Sequence, residues 1–550
     1  MRLLLLLGLL YTSLWSSRLD EEIRLNIGNE SNSVKAIYAM NGNRPLWVGH
    51  AKNFNQFIEI LQNPYYNYKN KLFKQDTIDQ YSYLLQNNMN PNENAEELYK
   101  LEVALTSSYL ALGNFIVQSD VNWEEVRGKL KELKELKDIK ANWEMVKKKT
   151  PSVDDFFNAL VNQNIDGFYK SLTPLKKRHQ ALINALQRYQ NMYDIKKVTY
   201  GDDLKFGDNH PRISNIKKRL AISGDFPTQN SYSDIFDEKL KMALTQYKNR
   251  FNLEQNGLID KVTIYYLNKP IELLIKDIIV NLDKLKVFPD KFPNEVIIVN
   301  IPEFRMNYYK NSYPILSMNA VVGRDVRPTP IFSSKMTYLV LNPTWNIPAN
   351  LVRRDLIPTL EENPNYMEEH NIHAYKGWGK NSKEIKNFSV SKLLPYKEGG
   401  SIPYRFVQSP GDDNALGRVK FMFPNKYSVY LHDTDNKDLL TRRYRVYSSG
   451  CMRLHHPFEL LEVLKPRLGA SASRVEKYLA SKKTKHLRFN KPLAVQTVYF
   501  TVFERNGQTY FRKDIYGYDK FVQESAKQDE PRRSFIPMVQ ETESFDEALF

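Results

Sequence analysis

Cys451 is the only cysteine in the 550-residue sequence, and it lies in the segment YSSGCMRLHH (447–456). A deprotonated thiol is a nucleophile and a metal ligand, whereas a buried thiol acts as a small hydrophobic side chain. Gly450 permits a tight turn before the thiol, and successive backbone N–H groups around such a turn can form an oxyanion hole. These residues alone leave three interpretations of Cys451 open: nucleophile, metal ligand or buried side chain.

A nucleophilic thiol needs a base, and three histidines are candidates for it. His432, in the segment YLHDT, ends a strand-like stretch, and a strand end can meet the turn that carries Cys451. His455 and His456 are too close to the thiol in sequence to be favoured. Zinc is weakly supported, because there is no second cysteine and no ligand pair with zinc-finger or HExxH spacing. We therefore predict that His432 is the base and that the protein uses no metal and no cofactor.

The N-terminus has the layout of a secretory signal. Arg2 precedes an apolar run over 3–11, and small polar residues follow it. We predict that residues 1–17 are a signal peptide, with an uncleaved N-terminal anchor as the alternative, because Leu14 and Trp15 crowd the expected cleavage site. The expected location is outside the inner membrane, with membrane contact only through this segment if it is uncleaved. A lone cysteine in an exported protein is either inert or a free reactive thiol, since it has no internal disulfide partner.

The composition is that of a globular protein with an excess of positive charge. Hydrophobic residues make up 42% of the chain, charged residues 26%, and the formal net charge is +16. The charge indicates either a well-solvated surface or an acidic polymeric partner. Nucleic acid is disfavoured as that partner, because the chain has an export signal and no nucleic-acid-binding motif.

The elements around these residues divide the chain into an α+β multidomain arrangement. Helical periodicity dominates the first third of the chain, whereas a period of two with abundant Val, Ile and Tyr begins near residue 294. We expect the NG turn near the end of the β-rich region to close a hairpin. The predicted parts are a helical scaffold domain (18–208), a small three-helix module (209–268), a scaffold or linker helix (269–293), a β-rich domain (294–522) with an insertion at about 350–404, and a disordered tail (523–550).

The small module resembles the three-helix peptidoglycan-binding-like module. The matching residues are Phe236-Asp237, Ala243-Leu244, Tyr247 and the turn at 256–259. The glycine that follows the second helix in that pattern is replaced by Asn252, which can also adopt the left-handed conformation of a helix cap. The alternative is a generic helical bundle that serves as a spacer.

The β-rich domain resembles the L,D-transpeptidase catalytic domain of the YkuD type. The family motif His-x(n)-Ser-x-Gly-Cys-x-Arg is matched by His432 and by 448–453, SSGCMR. Over nearly its whole length the chain is similar to the large periplasmic L,D-transpeptidases of Gram-negative bacteria, which have a helical scaffold, an embedded peptidoglycan-binding-like module and a capping insertion. The stretches VNIPEFRMNYY, VVGRDVRPTPIFSSKMTYLVLNPTWNIP, GRVKFMFPNKYSVYLHDT and DIYGYD strengthen the match. After the motif arginine this chain has LHHPF, where many relatives carry Asn or Asp.

The resemblance implies a two-step acyl transfer between peptidoglycan stem peptides. A cysteine thioester forms at diaminopimelate with loss of D-alanine, and a second stem resolves it into a 3→3 cross-link. The implied roles are as follows: nucleophile Cys451; general base and acid His432; orientation of that imidazole by the main chain of Asp433; turn and oxyanion-hole region Gly450 and Ser449; loop anchor or carboxylate ligand Arg453; substrate contacts Tyr430, Ser448, Tyr338 and Trp345, with Ser448 also expected to hydrogen-bond within the turn.

Other functions stay open at this point. The same acyl-enzyme can be hydrolysed, as in an L,D-carboxypeptidase, or can attach a protein amine to the wall, and a non-catalytic wall-binding scaffold needs no reactive thiol. Ser-x-x-Lys occurs at Ser214/Lys217 and Ser389/Lys392, but no Lys-Thr-Gly follows, so a serine enzyme is disfavoured. The expected partners are peptidoglycan stem peptides and glycan, with other cell-wall synthesis enzymes as a further possibility.

Overall fold

The computed structural model describes residues 18–86, 93–192, 196–379 and 382–527. The predicted signal or anchor at 1–17 and most of the predicted tail lie outside the described residues. The chain forms two units, one drawn from 1–126, 145–292 and 501–550, the other from 127–144 and 293–500. Across the described part of the chain, no helix combines the length and the apolar character needed to cross a membrane.

The first unit is built mainly from helices, and some of these have recognisable stabilising interactions at their first turn. Ser152 caps one helix in a reciprocal capping box with Asp155, and Glu96 and Glu97 begin the longest helix, where carboxylates complement the helix dipole. The helices are Asn32–Met40, Ala51–Gln62, Gln75–Gln86, Ala95–Gln118, Trp123–Lys137 (which continues into the second unit), Val153–Val161, Ile165–Leu172, Lys176–Gln190, Arg212–Ile222, Glu238–Arg250, Lys261–Leu267, Ile271–Lys284 and Tyr518–Glu524.

Glu102 is a fully buried carboxylate in the middle of the helix Ala95–Gln118. Its two oxygens accept hydrogen bonds from the backbone N–H groups of Leu46, Trp47 and Val48, at 2.9, 2.9 and 2.5 Å, and from the Tyr38 hydroxyl at 2.7 Å. A buried carboxylate is tolerated only when such donors replace water. Glu102 therefore joins the long helix to the loop at 46–48 and to the helix that carries Tyr38.

The small module has the three helices that the sequence predicts. Asp237 and Asp260 cap the second and third helices by accepting the backbone N–H groups of Leu240 and Thr263. Asn252 has a φ of +53°, which is the left-handed conformation expected at this position. The module's buried residues include Phe236, Leu240, Tyr247 and Phe251.

The second unit is organised around a nine-stranded sheet in the order β11-β3-β12-β10-β9-β4-β13-β1-β2. β2 also pairs with β3, so the sheet closes on itself and leaves few free edges. The strands of this unit are β1 Glu295–Asn300, β2 Arg305–Lys310, β3 Tyr313–Gly323, β4 Ser333–Leu341, β5 Trp345–Ile347, β6 Ile372–Lys376, β7 Glu384–Ile385, β8 Tyr404–Gln408, β9 Val419–Met422, β10 Leu431–His432, β11 Val446–Ser448, β12 Met452–Leu454 and β13 Lys485–Val498.

One face of the sheet forms the main core of this unit. Leu339, Phe421, Leu431 and Met452, on four neighbouring strands, are fully buried, and the helix Pro457–Leu464 packs apolar side chains into the same core. Side chains alternate between the two faces of a strand, so the residues that directly precede and follow each of these four along its strand lie on the opposite face. That opposite face carries the candidate site.

The insertion has its own small sheet and core within the second unit. Its strand order is β5-β8-β6-β7, and Ile357, Leu360, Leu393 and Phe406 form part of its buried cluster. Its helical segments are Ala349–Leu351, a π-helical turn Val352–Leu356, Ile357–Glu362 and Tyr366–Glu369. A helical region followed by a β-rich domain confirms the predicted α+β multidomain fold class.

The predicted hairpin at 506–507 is present, but it lies in the helical unit. β14 (Val502–Arg505) pairs with β15 (Gln508–Phe511). Residues from Thr501 onward group with the first unit, because Arg250 donates to the Thr509 carbonyl and Phe511 stacks on Phe251. The boundary between the two units thus falls before the hairpin, whereas the domain predicted from the sequence, 294–522, includes the hairpin.

Glu102→Gln should destabilise the first unit by about 2–3 kcal/mol, because the new amide NH₂ faces donors where an acceptor is required. Urea unfolding followed by tryptophan fluorescence, which includes the adjacent Trp47, measures the change. Glu96→Gln on the same helix is the matched control, since Glu96 is exposed and pairs with Lys100 at the surface. Equal unfolding midpoints for the two variants would contradict the structural role of Glu102.

Candidate active site

The site lies where β10 is held between two neighbours. β10 pairs in parallel with β12 and antiparallel with β9, so His432 lies opposite Arg453 on one side and Lys420 on the other. Leu431 and Phe421, the adjacent residues in register, belong to the core. His432, Arg453 and Lys420 therefore share the face of the sheet that points away from the core.

Cys451 is half-buried immediately before β12. The Met452 N–H donates to the Tyr430 carbonyl at 3.1 Å, which continues the pairing with the β10 segment up to the cysteine. By alternation Cys451 lies on the same face as Arg453, beside Tyr430. The Cys451 sulfur is 3.9 Å from the Ser428 carbonyl oxygen.

The turn before the thiol is fixed by Ser448. The Ser448 hydroxyl donates to the Cys451 carbonyl at 2.5 Å and accepts from the Gly450 N–H at 3.1 Å. Gly450 has a φ of +112°, a conformation that favours glycine, and its carbonyl accepts from the Thr329 hydroxyl at 3.0 Å. The expected hydrogen bonding of Ser448 within the turn is confirmed, and its contact with substrate stays a prediction.

These bonds decide which backbone N–H groups can serve an oxyanion hole. Those of Gly450 and Met452 already have acceptors, in Ser448 and Tyr430. Within the described part of the chain, the N–H groups of Ser449 and Cys451 donate to no backbone or side-chain acceptor. Ser449 and Cys451 are therefore the candidate donors to a developing oxyanion.

The His432 imidazole is held as a neutral base. His432 is 4% exposed, and its Nδ1 lies 2.5 Å from the Asp433 carbonyl oxygen. Because a carbonyl only accepts, the proton sits on Nδ1 and the Nε2 lone pair is left free. Burial, followed by the positive charge of Arg453, lowers the His432 pKa to about 3. The main-chain contact implied by the resemblance is present, and its catalytic role stays a prediction.

The Asp433 side chain has hydrogen-bond and ion-pair partners of its own. Its buried carboxylate accepts the Arg418 N–H at 2.8 Å and pairs with Lys437. The carboxylate is thereby engaged away from the imidazole. Orientation of His432 is left to the Asp433 carbonyl.

The thiol is neutral as well in this state. Burial raises the Cys451 pKa to about 11, and contacts with Tyr430 and the charges of Arg453 and Lys420 oppose that rise. Among the described residues no hydrogen bond joins the thiol to the His432 imidazole. Hydrogen bonds of this kind are often long before substrate binds.

Lys420 is a site residue that the sequence analysis did not single out. Its ammonium group lies 5.2 Å from the centre of the Tyr430 ring, and burial lowers its pKa while Cys451 raises it. The sequence does contain an indication of this position in the segment RVKFMF, where buried Val419, Phe421 and Phe423 alternate with residues of the other face. Lys420 lies on that other face, in the strand that precedes the strand of His432, and this position indicates a positive charge near the thiol.

The weaker predicted substrate contacts lie farther from the thiol. Tyr338 on β4 pairs with Met422 on β9, which places it on the site face but three strands from Cys451, about 14 Å at the usual strand spacing. Trp345 lies on β5 and packs against the core of the insertion. Tyr430 is the aromatic residue beside the thiol, and its ring meets the His432 ring edge-on at 5.5 Å.

The remaining candidate groups are occupied elsewhere. The rings of His455 and His456 contact each other, with centroids 3.9 Å apart and planes tilted by 31°, before the helix Pro457–Leu464. Lys217 binds Ser233 and Asp237 rather than Ser214. The described ranges contain no group of three His, Cys, Asp or Glu side chains placed to hold a metal ion.

Alkylation of Cys451 by iodoacetamide should rise about tenfold per pH unit between pH 7 and 10, because the thiolate reacts and its pKa is about 11. As the chain has one cysteine, intact mass spectrometry measures this rate directly. A plateau between pH 6 and 8 would contradict the prediction, since it would indicate a resting thiolate–imidazolium pair.

Lys420→Met should raise the thiol pKa by about one unit and slow alkylation at pH 9 about tenfold, because a nearby positive charge is lost. Lys420→Arg keeps the charge and should keep most of the rate. Lys426→Met, at an exposed lysine that pairs with Glu144, is the matched control and should react like the unmodified protein. Equal rates for Lys420→Met and the control would contradict the role of Lys420.

Two parts of the chain match models of known protein families. Residues 294–476 match the YkuD family model, described as the L,D-transpeptidase catalytic domain, and residues 32–186 match a model described as a scaffold domain. A curated protein of Haemophilus influenzae, provisionally named an L,D-transpeptidase, is 36% identical over 244 residues. That alignment covers 44% of this chain and 48% of the relative, so the chain spans about half of the relative's length.

Solved structures of similar chains are more distant. An L,D-transpeptidase from Mycobacterium smegmatis is 9% identical, with 37% of this chain and 58% of that chain covered and a TM-score of 0.19. An L,D-transpeptidase from Stackebrandtia nassauensis is 13% identical, with 57% and 100% covered and a TM-score of 0.19. On the family matches, the chain contains a YkuD-type L,D-transpeptidase catalytic domain and a separate scaffold domain.

Proposed function

We propose that the chain is a peptidoglycan L,D-transpeptidase that forms 3→3 cross-links through a thioester on Cys451. The observation that carries the proposal is the pairing of β10 with β12. It places a half-buried thiol on the same sheet face as His432, an imidazole held with its Nε2 lone pair free. A thiol at the start of one strand and an oriented neutral base on the adjacent strand are groups that nucleophilic acyl transfer requires.

The first half-reaction acylates the thiol. The sulfur attacks the carbonyl carbon of the third stem residue, diaminopimelate, while the thiol proton passes to Nε2 of His432. The negative charge on the carbonyl oxygen is stabilised by the Ser449 and Cys451 N–H groups. Collapse breaks the amide bond, the departing amine of D-alanine takes the proton from His432, and a thioester is left on Cys451.

The second half-reaction resolves the thioester. The side-chain amine of diaminopimelate on another stem attacks the thioester carbonyl and gives its proton to His432. The new amide bond forms as the carbon–sulfur bond breaks, and the sulfur recovers its proton from the imidazolium. Because thiol and imidazole both begin and end neutral, the proton moves together with bond formation in each step.

Two related outcomes and one non-catalytic one compete with this proposal. Water as the second nucleophile gives a carboxypeptidase, and a protein amine gives attachment to the wall. A non-catalytic scaffold does not require Cys451, His432 and Arg453 to lie on one sheet face.

We propose a periplasmic location, from the predicted N-terminal signal, and peptidoglycan stem peptides and glycan as partners. Association with other cell-wall synthesis enzymes belongs to the same proposal.

The purified protein mixed with disaccharide-tetrapeptide should release D-alanine and yield a 3→3 dimer by mass spectrometry. Cys451→Ala and His432→Ala should lose both products, by at least about 100-fold, because nucleophile and base are removed. His455→Ala is the matched histidine control and should retain activity. Tripeptide without dimer would identify the hydrolytic alternative, and dimer formation by Cys451→Ala would refute the cysteine mechanism.

A further inference from the structure

Four arginines surround the turn that carries the thiol. Arg324 follows β3, Arg327 lies in the next loop, Arg354 belongs to the π-helical turn of the insertion, and Arg453 is on β12. We call these four residues the arginine cluster. The first, second and third come from outside the segment that carries Cys451, so the fold brings them to it.

Direct contacts place the cluster at the turn. The Arg324 backbone N–H donates to the Ser448 carbonyl at 3.0 Å, and its Nε donates to the Tyr447 carbonyl at 3.1 Å. Arg354 Nη2 lies 3.5 Å from the Ser449 hydroxyl. A residue of the insertion thus reaches the loop next to the nucleophile.

The four positive charges are close enough to repel one another. Burial and the charges of Arg354 and Arg324 lower the Arg327 pKa, whereas the carboxylates of Asp138 and Asp355 oppose this shift. Burial also lowers the Arg453 pKa, with a smaller contribution from Arg324, whereas Asp435 and Cys451 oppose the shift. Asp355, which binds Arg354 at 2.5 and 2.6 Å, is a carboxylate ion-paired within the cluster. The four arginines face three carboxylates, Asp138, Asp355 and Asp435, so the cluster keeps a small excess of positive charge near the thiol.

Two of these guanidinium groups have buried donors without an acceptor. Within the described residues, Arg354 Nη1 and Arg453 Nε are inaccessible to water and have no hydrogen-bond partner. Leaving a buried charged donor unsatisfied is costly, and native structures retain few such groups. The side chains of Arg354 and Arg453 are themselves partly exposed, so an anionic ligand that binds their accessible N–H groups would reduce the repulsion within the cluster.

We propose that the arginine cluster binds a carboxylate of the stem peptide next to Cys451, with Arg354 of the insertion as one of its ligands. This inference rests on the proposed function, which supplies a substrate with carboxylates near the scissile bond. Guanidinium groups bind carboxylates through two parallel N–H···O bonds, which fixes orientation as well as position. The insertion thereby contributes a specificity residue to the site.

The first test compares two alkylating reagents on the single cysteine. Iodoacetate carries a carboxylate and iodoacetamide is its neutral counterpart, so the ratio of their rates measures recognition of an anion beside Cys451. Arg354→Gln and Arg327→Gln should each lower this ratio about fivefold or more, whereas Arg354→Lys, which keeps the charge, should lower it less. Arg474→Gln, at an exposed arginine of the same unit, is the matched control and should leave the ratio unchanged.

Ratios within twofold of the unmodified protein in both cluster variants would overturn the proposal. An equal fall in the Arg474 control would also overturn it, because the effect would then follow net charge. This test needs no transpeptidase activity, so it distinguishes failure of the cluster from failure of the proposed function. Unchanged circular dichroism and an unchanged unfolding midpoint confirm that each variant is folded.

The second test uses substrate. Arg354→Gln should raise KM for the disaccharide-tetrapeptide about fivefold with little change in kcat, because carboxylate binding is equal in ground and transition states. Substrates amidated singly at each stem carboxylate identify the group that is bound. For the correct amide, the unmodified protein and the variant should have equal KM values. A fivefold difference that persists with every amide would overturn carboxylate recognition.

Discussion

The pairing of β10 with β12 is the constraint on which the site depends. In this register Leu431 meets Met452 in the core, and the same register sets His432 beside Arg453 on the other face. A slip of one residue would move the base into the core and a leucine into the site. Core burial on one face thus specifies the geometry of the chemistry on the other, and no interaction between base and thiol is needed to hold them in position.

The electrostatics of the site follow from its burial. Burial and the nearby positive charges disfavour a protonated His432, whereas burial alone makes the thiolate costly, so the resting pair is uncharged. In the proposed reaction, Lys420 and the arginine cluster would lower the cost of the negative charge that develops. The same positive groups would attract an anionic substrate, so substrate binding and stabilisation of the developing negative charge would depend on the same side chains.

Local sequence predicted much of the site, and long-range packing determined the rest. The SSGC turn and the histidine follow from a short motif, whereas the main-chain contact of Asp433 was implied only by the family resemblance. Asn252 was expected in a left-handed cap because it replaces the glycine of the module pattern. Lys420 and Arg354 were missed, because their proximity to Cys451 depends on sheet register and on an insertion fold. The hairpin was predicted from its turn, whereas its place in the helical unit depends on Arg250, distant in sequence. Commitment of the Gly450 N–H to Ser448 likewise became visible only in three dimensions.

The protonated state of Cys451 affects the resistance of the protein to oxidation as well as its chemistry. Peroxides and disulfides react with thiolates, so a thiol whose pKa is raised to about 11 is a poor target for oxidation and mixed-disulfide formation. The sequence holds no second cysteine to resolve a sulfenic acid. In the oxidising compartment that we propose for this protein, the burial that slows the resting nucleophile also preserves it until substrate arrives.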